Sequence, residues 1–149
     1  MDCLPEITLS TDRPFWIRRA DFLSHVHMQN YMCREVQWVY ANAYLKDWFR
    51  DNEGVRFFSL PSVWLKDGRI TFINGRHRTA VLSEHLEILP MAAIANSGDD
   101  DAALFNSIKY ADLKMDGVIQ VPDLPVLTKE ALDLLVDKSR PPFPTPNPW

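Results

Sequence analysis

A two-residue Asp67-Gly68 turn separates two runs of alternating apolar and polar residues, Val63-Trp64-Leu65-Lys66 and Arg69-Ile70-Thr71-Phe72. Both turn positions tolerate positive φ, so the pattern predicts a tight hairpin. Such a turn also sets the register. Leu65 faces Ile70, Val63 faces Phe72, Trp64 pairs with Thr71, and Lys66 pairs with Arg69. The first four residues share one face and should meet the core. Lys66 and Arg69 set like charges opposite each other, which costs a little unless the tip is solvated or holds an anion.

The strand leaves Ile73 into Asn74-Gly75-Arg76-His77-Arg78-Thr79. Asn74 suits an N-cap, and Gly75 permits a sharp bend into a helix. The helix is expected to run to about Glu87, with Val81, Leu82, His85, Leu86 and Leu89 inward, until Pro90 stops it. A packed role for His85 is expected over a catalytic base. Met91 to Ala95 is apolar throughout, which suits a central strand. Arg76, His77 and Arg78 thus open a helix, where the backbone dipole is already positive. One reading is a solvated basic turn with its arginines packed on tryptophans. The other is a phosphate cradle, with free N–H groups at the helix start, two guanidiniums and an imidazole.

Elsewhere the pattern is less specific. Ile7-Thr8-Leu9 reads as a first strand, 15–18 as a second, and 20–28 as a short helix with Phe22, Leu23 and Val26 on one side. The apolar stripe Val36, Val39, Tyr40, Ala43, Tyr44 and Trp48 predicts a long helix over 35–50, ended by Gly54. A helix over 101–110, a strand over 118–121 and a helix capped by Thr128 follow. The tail 141–149 is proline-rich and should be extended. His25 and His27 could ligate a metal only on a strand, and the helix preferred here points them apart. Asp99-Asp100-Asp101 reads as a capping loop, with a divalent cation beside a bound triphosphate as the rival reading. Asp47, Asp51 and Glu53 are possible acidic partners of the basic box, with solvated surface as the default.

The formal charge of −4 argues against a domain built to grip nucleic acid non-specifically. Cys3 and Cys33 are too few for a disulfide framework, and no CxxC pair is present. No apolar run reaches membrane-spanning length and no signal-peptide pattern opens the chain, so a cytoplasmic location is expected.

The run DGRITFINGRHRTAVLSEHLEILPMAAIA resembles the ParB/sulfiredoxin-like superfamily. That family's signature is a strand, a glycine-led basic box, a helix, and a strand that often starts at proline. The match covers roughly a quarter of the chain, over 62–95. Against the ParB box, Gly75 and Arg78 match, Arg76 replaces an acidic residue and His77 replaces an arginine. Against the sulfiredoxin box, Gly75, His77 and Arg78 match, but Asn74 replaces a glycine and Arg76 stands where the catalytic cysteine belongs. Without that thiolate the sulfinic-acid repair reaction has no nucleophile, so sulfiredoxin activity is excluded. The GRHRTA box is similar to that of plasmid fertility-inhibition proteins, which carry this fold without a helix-turn-helix domain.

These observations lead to an expected α+β (mixed α/β) class, with a small mixed sheet flanked by helices. A single ParB/sulfiredoxin-like domain over 1–140 and a tail over 141–149 are expected. The candidate phosphate or nucleotide site is Asn74, Gly75, Arg76, His77, Arg78 and Thr79, joined by Lys66 and Arg69. His77 and Arg78 are the candidate catalytic residues, with no metal ligands assigned. The resemblance implies ATP or another nucleotide with Mg²⁺, and a role in blocking conjugative DNA transfer. ATPase or DNA nuclease activity belongs to some relatives. DNA, a conjugation-machinery protein and a second copy of the chain are the implied partners. Two rival readings stand beside it: a non-enzymatic interaction module using the aromatic residues and the tail, and a small phosphotransferase.

Overall fold

The computed structural model describes residues 1–31, 48–95, 106–123 and 130. The strands are β1 (Asp2–Glu6), β2 (Arg13–Arg18), β3 (Phe49–Asn52), β4 (Val55–Ser59), β5 (Ser62–Lys66), β6 (Arg69–Asn74), β7 (Ile88–Ala93), β8 (Tyr110–Asp112) and β9 (Ile119–Gln120). The helices are α1 (Arg19–His25), α2 (Met28–Tyr31) and α3 (Arg76–Ser83). This is a mixed α+β structure with two sheets. One has the order β3-β4-β1-β9, the other β6-β5-β7-β2-β8. The chain passes from the first sheet to the second at Leu60-Pro61. There the Leu60 N–H donates to Glu6 O, and Pro61 O accepts the Ala92 N–H, both at 2.9 Å.

The hairpin expected at Asp67-Gly68 forms with the register predicted from its turn. Asp67 has φ 55° and Gly68 φ 69°, the paired positive values of a tight hairpin turn. Val63, Leu65 and Ile70 are fully buried and Phe72 nearly so. Burying each such side chain contributes about 1.5–3 kcal/mol, enough to hold this face inward against a register slip. β7 is the middle strand of its sheet, as its unbroken apolar run predicts.

β6 is an edge strand, and its open side is covered. Val26 bridges Ile70 in parallel. The His27 N–H donates to Ile70 O at 2.9 Å. The Asn30 carboxamide Oδ1 accepts the Phe72 N–H at 2.7 Å. Behind them Phe22, Tyr31 and Phe72 pack as an aromatic cluster, with Phe22 edge-on to both others.

Several boundaries differ from the sequence expectation. The first strand is Asp2–Glu6, and Leu9 is exposed beyond it. α1 ends at His25 because Val26 turns extended to meet β6, and Leu23 faces outward. Phe49 and Arg50, expected in a helix, lie in β3. Glu53 (φ 51°) and Gly54 (φ 84°) form a second tight hairpin turn rather than a helix end. α3 stops at Ser83, a turn earlier than Glu87. Arg19 Nη1 donates to Ser83 O at 2.8 Å, placing a cation at the helix C-terminus. His85 is therefore exposed instead of packed. Pro90 lies inside β7 opposite Trp16, where β2 is the strand's one ladder partner. Its missing N–H thus interrupts no bond to β5. Tyr110 opens β8 instead of closing a helix. Most of the 35–50 helix, most of the 101–110 helix, Cys33, Asp47, Asp99-Asp100-Asp101, the Thr128 cap and the tail lie outside the described residues. No described helix is long and apolar enough to cross a membrane.

Candidate functional site

The bend between β6 and α3 is built on Gly75, the N-cap of α3, at φ 87° and ψ 10°. A side chain there would be strained twice. The conformation is left-handed, and a Cβ would come within 2.6 Å of Pro61 Cα and 2.7 Å of an Arg78 guanidinium nitrogen. Asn74 is not the N-cap. Its Oδ1 instead accepts from Arg78 Nη2 at 3.1 Å, and no side chain caps the helix start. No acidic residue lies in the first turn of α3. Among the described residues the positive end of the helix thus has no carboxylate or capping oxygen from a side chain.

The two arginines have different jobs. Arg76 is buried, and its Nη1 donates to Asn30 O at 2.9 Å, tying the box to α2. Arg78 has one guanidinium contact, to Asn74, while its Nε is buried with no hydrogen-bond partner among the described residues. Burial pushes the Arg78 pKa down to about 10. A buried guanidinium N–H left unmatched carries a desolvation cost that an anionic acceptor would remove. Thr79 turns inward. Its Oγ1 donates to Gly75 O at 3.1 Å, and its own N–H reaches the same oxygen at 3.0 Å. Thr79 braces the bend and does not line the open space beside it.

That space is a groove of about 440 Å³ lined by Asn30, Trp48, Phe72, Ile73, Asn74, Gly75, Arg76, His77 and Arg78. Five of the six predicted box residues, 74–78, therefore meet at one cavity. No carboxylate is among its described lining residues. Asn30 and Trp48 were missed because both reach the box across long sequence separations. Trp48 could be read as apolar, but only the β3–β4 hairpin brings it here, with its carbonyl accepting the Ser59 N–H at 2.9 Å. The Gly after Glu53, between two short alternating runs, was the available signal for that hairpin.

Lys66 and Arg69 are not brought to the box. They pair across the turn end of the β5–β6 hairpin, where Arg69 is five residues from Asn74, or about 17 Å along a strand. Lys66 instead lies over the Trp64 ring, its Nζ 4.8 Å from the centroid. His25 Nδ1 contacts Asp21 O, and His27 Nδ1 accepts the Asn30 N–H, so both are engaged locally. Asp51 pairs with Arg56 at 3.2 Å, away from the groove. Among the described residues no group of three or more His, Cys, Asp or Glu could hold a metal ion.

Among the described residues the groove's charged groups are donors, which suit phosphate oxygens, and no carboxylate lines it for Mg²⁺. Comparison of the chain with protein-family models, curated proteins and solved structures returned no match.

Proposed function

We propose that the groove at Gly75 binds a phosphate-bearing ligand, a nucleotide first of all, in a chain of ParB/sulfiredoxin-like type. The single observation that carries the reading is Arg78: a half-buried guanidinium whose Nε–H is buried and has no hydrogen-bond partner among the described residues, beside a helix start that no described side chain caps. Such a cation is costly to keep without an anion to answer it. The succession β5, β6, Gly75, α3, β7 is the hairpin, box, helix and strand order on which the resemblance rests.

In this reading Arg78 takes a phosphate oxygen through the exposed Nη end of its guanidinium, and backbone N–H groups after Gly75 take others. His77 hydrogen-bonds phosphate or serves as acid and base. Arg76 holds the turn in shape rather than facing the ligand alone. By resemblance the role would be interference with conjugative DNA transfer, through nucleotide hydrolysis or action on DNA.

Calorimetric titration with ATP, CTP, GTP and inorganic triphosphate, with and without Mg²⁺, tests the site. Wild type should bind at least one, and Arg78→Ala should weaken binding about tenfold or more. The reading fails if wild type binds none, or if a folded Arg78→Ala binds as well as wild type. For DNA, affinity should fall as salt rises, and an affinity indifferent to salt would sink the DNA-directed role.

A further inference from the structure

A second cavity, about 460 Å³, opens on the β2–β8 side of the larger sheet and is lined by Trp16, Arg18, Ile88, Lys109, Tyr110 and Ala111. Its floor follows from register. Trp16 pairs with Ala111 and Arg18 pairs with Ile88, so these four project from one sheet face. Trp16 is half-buried, whereas Ile88 is 51% exposed. Tyr110 pairs with Ile17, so its ring lies on the opposite sheet face, edge-on to Phe15 at 6.0 Å, with its hydroxyl accepting from Arg13 Nη2 at 2.7 Å; the cavity's ring contact is Trp16.

The charges at this cavity have one sign. Arg18 and Lys109 are exposed, and neither has an ion pair or side-chain hydrogen bond among the described residues. Arg13, Arg50 and Arg56, by contrast, each pair with a carboxylate. No acidic side chain is among the described lining residues, in a chain whose net charge is −4. An aromatic floor, an aliphatic rim and two unanswered cations fit a flat apolar ring that carries a negative group.

We infer that this cavity is a second binding site, for a small planar aromatic anion whose ring lies against Trp16 and Ile88 and whose charge meets Arg18 and Lys109. It is separate from the box at Gly75, and none of its lining residues is shared with that groove.

The test uses the full chain with 2-naphthoate, 2-naphthyl phosphate and the neutral 2-naphthamide, followed by calorimetry or by the chemical shift of the Trp16 indole N–H. Either anion should bind at least about tenfold tighter than the amide, and the tighter of the two names the head group. The double variant Arg18→Gln, Lys109→Gln should erase that preference. Both side chains are exposed, so the fold is kept. Arg78→Ala should leave naphthoate affinity unchanged, which separates this site from the nucleotide reading. Equal affinity for amide and anions, or a preference that survives the double variant, would overturn the proposal.

Discussion

The Arg76 guanidinium donates to the Asn30 carbonyl at 2.9 Å, which commits one of the box's two arginines to holding α2 against the start of α3. Arg76→Ala should therefore act on stability first. Removing a buried, charged donor leaves Asn30 O without this partner and costs about 1.5–3 kcal/mol. Thermal and urea unfolding would measure it. A melting temperature equal to that of wild type would show that the contact contributes nothing.

Arg78→Met should do the opposite. Replacing a half-buried cation, whose buried Nε–H has no partner among the described residues, with an apolar side chain of similar length should stabilise the fold by about 1–2 kcal/mol while abolishing anion binding. The sign follows from linkage. The folded guanidinium has a pKa lowered to about 10, below its ordinary value, so it holds its proton less tightly than the unfolded one. Its burial is a cost present in full below about pH 10 and relieved as pH rises from there toward the unfolded group's ordinary pKa. The advantage of Arg78→Met should shrink across that same window. Denaturation of the two proteins at pH 7 and pH 10.5 checks both statements, and a less stable variant at pH 7 refutes the first.

Gly75→Ala should be among the most damaging single-methyl changes in the chain. The left-handed backbone alone costs about 1–2 kcal/mol for an alanine. The 2.6 Å approach to Pro61 Cα adds a clash that only backbone movement can relieve. Gly68→Ala is the control, since its φ is also positive but open space surrounds it. If the two variants lose equal stability, the Pro61 contact is not a constraint.

Asn30→Leu should unseat the edge of the larger sheet. The Phe72 N–H would lose the Oδ1 acceptor at 2.7 Å, at a cost of about 1–3 kcal/mol. Amide exchange at Phe72 should accelerate more than at Leu65. Uniform acceleration across the hairpin would point to global destabilisation instead.

The parts of this architecture legible in sequence are those set by neighbours in the chain. The Asp67-Gly68 turn dictates its own register, and the Gly75 bend must sit where a strand meets a helix. The apolar run of β7 could only be central. What escaped reading depends on distant partners. Arg19 ends α3 early through a bond across 64 residues. Asn30 reaches β6 across 42 residues. The β3–β4 hairpin was hidden because the apolar stripe before it continues helically into Trp48 and Phe49. At the site, the positions of 74–78 were legible, but the division between Arg76 and Arg78 was not. Both are arginines in one helical turn, and burial against α2 alone tells them apart. Lys66 and Arg69 were assigned to the site by charge, and strand length places them elsewhere.

β1 pairs in parallel with β4 and antiparallel with β9, so the first described strand is flanked by the last. During synthesis the nascent chain can close the Asp67-Gly68 hairpin from residues close in sequence. Its first strand must wait for residues 119–120 before gaining its β9 neighbour. Until then that side of β1 offers unpaired N–H and C=O groups to any passing strand. The open side of β1 is therefore a place where a ribosome-bound intermediate of this protein is exposed to misassembly.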